Sequence, residues 1–508
     1  MHLHTMAAFA FLFWRMEAPA EWYLLSSDNA LILFVLAIAQ PALLAILAWI
    51  STRKTRHMLA ESRHLPGPAA RFHHRSMSAL RLALIVGFGA TTLLTPWPDW
   101  FSMRGVAPAL QVFGDLAVLS TYFLGAIVLW LIAYPVERIL HGADGSEGFP
   151  GGPPVRWKLS SYLDFHIRHH LLVVAGPMLL ILFAANLTRG YETILRQWSG
   201  SYWTPDVILG AAAGVVFILS PFMLKRLWRT TPLADGPLRE ELTHMCKRVG
   251  LRCREILLWK SDGLMINAAV MGIIPAARYV LLSDALLAAM SPRQIEAVFG
   301  HEAGHVRHRH MQYFLVFAMV GWLAAGAATE VFSWWFNRGG RMSDNALVLI
   351  QGLGLLVTFA FWMAGFGWLS RRFERQADLF GARCVAPGAA ECRLPCSVHV
   401  NGAQRSVEKD RVCATGATVF ASALDSVAAL SGIGHDEPSW RHASVGTRIR
   451  FLHSAAGDPN RAIGFERRLR QVKLSIMSVA ILGSAGAVYY WQSVRPVYVA
   501  RLERPEGP

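Results

Sequence analysis

Long apolar runs alternate with polar stretches along the whole chain. About eight runs are long enough, or nearly so, for a hydrocarbon core that takes about 20 helical residues to cross. They lie near Leu31–Ile50, Leu82–Trp97, Leu116–Tyr134, Leu171–Leu187, Val207–Leu224, Phe314–Phe336, Ala346–Leu369 and Leu474–Trp491. Two polar regions, 225–312 and 370–472, are separated only by the sixth and seventh runs, a hydrophobic hairpin that brings both to one membrane face. In the first region ELTHMCKRVGL has helical spacing, while REILLW and ARYVLLS are short β-prone runs. The second region reads mostly helical, with a Gly/Pro/Cys-containing insert from Pro387 to Gly416. The expected fold class is mainly α: a polytopic helical membrane protein with an α+β domain at one membrane face. Its expected parts are an N-terminal membrane region over 1–224, domain segments 225–312 and 370–472 around the hairpin 313–369, and a last span with a short tail over 473–508.

Composition agrees with a bilayer as solvent. Hydrophobic residues make up 54% of the 508 and charged residues only 16%, against about 25% charged in an ordinary soluble chain. The net charge of +15 raises the question of nucleic acid. Many arginines flank apolar spans, where they meet anionic headgroups and fix topology, and no basic patch interleaves with aromatics. No nucleic-acid partner is expected. The loop between the first two spans holds seven Lys or Arg, whereas Pro98–Asp115 holds only Arg104. The same alternation continues down the chain, so the positive-inside rule puts the N-terminus outside and both polar regions in the cytoplasm. Met1–Trp14 has a short apolar run with no basic residue before it, which suits an interfacial stretch better than a signal peptide. Six cysteines do not make a disulfide scaffold.

The chemistry centres on HEAGH at 301–305. Residues four apart share a helix face, so His301 and His305 both present an imidazole to one ion, with Glu302 placed to take a proton from a metal-activated water. Ser291 as N-cap, Pro292 at the first helical position and Gln294 closing a capping box predict the helix that carries them, and Ile295, Val298 and Phe299 give its buried face. A catalytic zinc site takes a third protein ligand. In SRRFERQADLFGA, Glu374 and Asp378 are again four apart. They supply either a metal ligand with a carboxylate orienting a ligand histidine, or an exposed charged face paired with Arg371, Arg372 and Arg375.

HEAGH, a hydrophobic hairpin and then ERQAD resembles the gluzincin-type membrane metallopeptidase family forty-eight, which contains HtpX and the CAAX prenyl protease. Asn267-Ala268 to Gly272 in INAAVMG is similar to that family's NAxxxG segment, and His442 to Arg448 in HASVGTRI to its C-terminal element, with Ala443 where Pro is usual. The resemblance covers about 225–455. It implies a gluzincin-like α+β peptidase domain with one Zn2+ per chain held by His301, His305 and Glu374, and Glu302 as general base. It further implies Asp378 behind the ligands, His442 as oxyanion stabiliser supported by Arg448, and Asn267, Ala268 and Gly272 on a strand that pairs with extended peptide.

The function expected from this is a zinc endopeptidase in a cell inner membrane, its domain facing the cytoplasm, acting on peptides or membrane proteins in quality control. CAAX-type processing and a peptidase-like signalling sensor are the alternatives. A site-two-type protease is disfavoured, because HEAGH precedes its span and is followed by Arg307 and Arg309. His308 and His310 read as part of a solvated basic face, and Glu330 as a carboxylate near the outer membrane surface. Cys384, Cys392, Cys396 and Cys413 raise a structural metal, but the three-residue gap between Cys392 and Cys396 is no standard knuckle, so unpaired thiols in an inserted loop are expected. Cys246 and Cys253 read as core.

Overall fold

The computed structural model describes residues 2–17, 30–61, 67–102, 107–142, 158–201, 204–261, 265–337, 344–386, 411–430, 434–437 and 441–490, with 392, 396, 398, 439 and 492 singly. The chain forms two compact units: residues 1–231 with 258–264, and 232–257 with 265–508.

The first unit is helical. It contains α1 (His2–Glu17), α2 (Ala30–Glu61), α3 (Gly67–Leu94), α4 (Gln111–Gly142), α5 (Leu159–His166), α6 (Val173–Gly190), α7 (Glu192–Ser199) and α8 (Thr204–Leu227). A π-helical segment, Ile167–Leu172, joins α5 to α6 in one long span. The helices share a core of Leu33, Leu84, Leu119, Tyr122, Trp130 and Leu182. Helix α1 enters that core through Ala8, Phe9 and Leu12, so it is part of the bundle rather than an interfacial stretch. Two polar pairs lie between helices: Asn186 donates to Asp115 at 2.6 Å, and Tyr162 donates to Glu137 at 2.8 Å. With no water in a bilayer core, such groups must satisfy one another. The opposite faces of these helices expose Leu82, Leu124 and Val207, each more than half accessible. Apolar side chains of that size facing outward are what a lipid solvent accommodates.

The second unit carries the predicted mixture. The chain's four short strands, β1 (Thr230–Pro232), β2 (Glu255–Trp259), β3 (Ala268–Met271) and β4 (Tyr279–Ser283), make a sheet in the order β1-β2-β4-β3, which leaves β3 at the edge; of these, β3 and β4 lie wholly in the second unit. Every residue of β4 is buried, as its uninterrupted YVLLS run requires. The unit's helices are α9 (Pro237–Val249), α10 (Asp284–Ala289), α11 (Pro292–Arg307), α12 (His310–Asn337), α13 (Asp344–Cys384), α14 (Ala414–Leu430), α15 (Val445–Gly457) and α16 (Pro459–Tyr489). Leu369, Phe373 and Leu469 bind α12, α13 and α16 into one apolar cluster with Tyr313, Phe314 and Phe465. Among the described residues seven helical spans are long and apolar enough to cross a membrane. The chain is therefore a multi-pass membrane protein, mainly α, with a small sheet whose β3–β4 pair is antiparallel. The side chain of Glu330 and most of the 387–416 insert lie outside the described residues.

Candidate metal centre

Helix α11 begins as its sequence dictates. Ser291 accepts from the Gln294 amide N–H, and the Gln294 side chain accepts from Ser291 N–H at 3.0 Å, closing the capping box ahead of Pro292. Ile295 and Phe299 bury one face, and α11 packs along α13. The approach is close because the facing residues are small. A methyl on Gly304 would lie 3.1 Å from the Ala377 Cα, and one on Gly381 would lie 3.0 Å from the His301 backbone nitrogen. Backbone against backbone at that spacing brings HEAGH and ERQAD side by side.

The side chains of His301, His305 and Glu374 converge. The two Nε2 atoms are 3.1 Å apart, and the Glu374 oxygens lie 3.6 Å from His301 Nε2 and 3.8 Å from His305 Nε2. One donor atom from each falls within 4.8 Å of the others. Two imidazole nitrogens and a carboxylate, aimed at one point and backed by oriented partners, fit a zinc ion.

Each of the three side chains is held from behind. Asp378, fully buried, lies 2.9 Å from His301 Nδ1. Arg448 from α15 grips Asp378 with two hydrogen bonds of 2.9 and 2.5 Å and also comes within 3.5 Å of Glu374. Beside Glu374, His442 brings its Nδ1 to 3.2 Å while half-exposed. His305 Nδ1 lies 2.9 Å from His310 Nδ1, and His310 Nε2 lies 3.0 Å from the Gln376 side-chain oxygen, to which Lys473 donates at 2.8 Å. His310 is buried, its ring stacked 4.2 Å from Phe373 and nearly parallel to it. Of the segment read as a solvated basic face, only Arg307 and Arg309 are exposed. The reason is the break between α11 and α12. Arg309 takes a left-handed conformation (φ 56°), which turns the chain and points His310 back at the centre.

Charge follows burial and partners. Burial disfavours a charged His301 ring, yet Asp378 and Glu374 hold its pKa above the usual histidine value. Burial and the neighbouring His301 lower His305 to about 4, leaving it neutral as a ligand must be. Glu374 stays well below the ordinary carboxylate range despite burial, because His442, His301 and Arg448 surround it. Burial raises Glu302 to about 7 against the pull of His301.

Glu302 also touches the sheet edge: Val270 N–H donates to its Oε2 at 3.2 Å. Ser283 N–H donates to Asn267 O, so in this antiparallel pair Asn267, Ala269 and Met271 bond inward to β4. The backbone groups of Ala268 and Val270 then face the open edge. Gly272 ends the strand at φ 98°, where an added Cβ would meet the Ala277 carbonyl, so only glycine serves. All ten residues singled out from the motifs lie around the two histidines or along this edge strand. The residues the motifs did not reveal are His310, Gln376 and Lys473.

Residues 232–450 match the model of Peptidase family M48. A protease HtpX homologue of Pyrobaculum calidifontis is 23% identical over 294 residues, covering 56% of this chain and 77% of the relative. Protease HtpX of Pseudomonas paraeruginosa is 25% identical over 241 residues, covering 43% and 79%. Among solved structures, S. mikatae Ste24p shares the fold with a TM-score of 0.50 at 16% identity, covering 84% of this chain and 99% of that one. The matched region contains every residue of the centre except His310's distant partner Lys473, so within this multi-pass membrane chain residues 232–450 form a domain similar to the metalloproteases of Peptidase family M48.

Proposed function

We propose that the protein is a zinc endopeptidase that cleaves membrane-associated proteins, with His301, His305 and Glu374 holding one zinc and Glu302 as the base. The convergence of those three side chains around one point, with Glu302 at the adjoining sheet edge, carries this reading. When bound, zinc polarises the scissile carbonyl and acidifies water. The remaining work falls to the protein. The Glu302 carboxylate, with a pKa near the operating pH, takes a proton from the attacking water and returns it to the leaving amine. The outward backbone groups of Ala268, beside Asn267 and ahead of the Gly272 turn, pair with an extended substrate. His442, half-exposed beside Glu374, donates to the developing oxyanion. Arg448 positions Asp378, which in turn orients His301.

Loop charges support an inner-membrane location with this centre on the cytoplasmic side. The resemblance to HtpX implies membrane-protein quality control as the setting. The test is purified protein against a panel of membrane proteins and a farnesylated CAAX peptide, with and without chelator. Chelator-sensitive cleavage of panel members supports the proposal. Cleavage confined to the farnesylated peptide would replace it with a processing role, and no cleavage of either would favour a signalling protein.

A further inference from the structure

A second group of metal-capable side chains lies in the same unit, among the described residues, at the start of α14. Cys392, Cys396 and Cys413 bring their sulfurs within 4.8 Å of one another, with Cys392 and Cys413 only 3.6 Å apart. All three are thiols rather than disulfides. The spacing is informative. A disulfide needs sulfurs about 2.0 Å apart, whereas tetrahedral zinc with Zn–S bonds of about 2.3 Å spaces its sulfurs by roughly 3.8 Å. The observed 3.6 Å excludes a disulfide and is a thiol contact distance that lets the sulfurs share one cation with little movement.

Each sulfur also faces a hydrogen-bonding group. The Thr415 hydroxyl is 3.3 Å from Cys392 Sγ, Val398 N–H donates to Cys396 Sγ at 3.4 Å, and Gly416 N–H donates to Cys413 Sγ. The backbone N–H donors aimed at Cys396 and Cys413 favour the thiolate and fix its direction, as in the outer shell of a metal site. Cys396 and Cys413 are buried, which excludes competing solvent, and burial pushes the Cys413 thiol up to about 12. A metal binding there would displace thiol protons to solvent.

We infer that Cys392, Cys396 and Cys413 form a second metal site for a thiophilic divalent cation of the Zn2+ type, structural in role and separate from the His–Glu centre. Its effect would be to tie the insert between α13 and α14 to the start of α14. That helix matters to the first centre, because the ring of its Phe420 stacks 5.8 Å from the His301 ring.

The test is a Co2+ titration of the reduced, metal-stripped full chain. Wild type and the His301→Ala/His305→Ala variant should both show a sulfur-to-cobalt charge-transfer band, which a histidine–carboxylate site cannot give. Cys392→Ser/Cys396→Ser/Cys413→Ser should lose the band, and its zinc content should fall by about one equivalent per chain. Should that variant fail to fold, alkylation of wild type decides. Zn2+ should shield Cys392, Cys396 and Cys413, read peptide by peptide, while the labelling of Cys253 is unchanged. A wild type without the band, or with equal alkylation with and without Zn2+, overturns the inference. Neither readout depends on proteolysis, so a failed peptidase assay leaves it standing.

Discussion

The two histidines of HEAGH differ in how they are held, and that difference is not written in the motif. His301 leans on Asp378, a buried carboxylate that Arg448 neutralises. His305 leans on His310, which passes the contact to Gln376 and Lys473. We expect His310→Ala to weaken zinc binding roughly 10- to 100-fold, as the loss of such an orienting partner does, measured by competition with a chelating dye. Arg448→Ala leaves Asp378 buried without its cation, and should lower unfolding stability by about 3–5 kcal/mol, read from thermal unfolding in detergent with Arg448→Lys as the milder comparison. His301, Glu302 and His305 were legible because helical spacing alone places them, whereas Glu374 was singled out by the family resemblance, its spacing to Asp378 leaving an exposed charged face equally open. His310 was not, since it lies five residues past His305. Only the left-handed Arg309 between two helices turns it inward, and nothing in the letters RHRH marks that turn.

Between elements, the decisive contact is α11 against α13. The start of α11 was readable to the residue, because Ser291, Pro292 and Gln294 each perform a local backbone task. The pairing of α11 with α13 was suggested by two i,i+4 motifs but not its closeness, which depends on Gly304 and Gly381 facing backbone. Gly381→Ala puts a methyl 2.8 Å from the Phe420 ring and 3.0 Å from the His301 nitrogen. Overpacking of this kind costs about 1–3 kcal/mol, and here it should also reduce zinc affinity by moving His301. A variant with unchanged melting temperature and zinc affinity would show that the helices do not need this approach. The edge strand tells the same story: INAAVMG reads as a strand, but its place at the open edge comes from the strand order β1-β2-β4-β3. That order is set by packing far from the segment itself.

At the scale of the molecule, hydropathy gave most of the membrane architecture, because a span's length and apolarity are fixed by the bilayer. It misjudged ends where helices continue into polar sequence. α3 starts at Gly67 and α5 at Leu159, well before the apolar stretches on which they were recognised. It also treated α1 as peripheral, although Ala8 and Phe9 are fully buried. Loop charge predicts the orientation. A reporter active only in the cytoplasm should work when fused after residue 460 and fail at residue 1; the reverse pattern would invert the topology. The proposed function stands on the His–Glu centre, and the most direct measurement pairs zinc content with cleavage in Glu302→Gln and Glu374→Ala. Glu302→Gln should keep wild-type zinc while cleavage falls by at least about 100-fold, and Glu374→Ala should lose the zinc of that centre along with activity. Cleavage by Glu302→Gln at the wild-type rate, or full zinc and activity in Glu374→Ala, would contradict it.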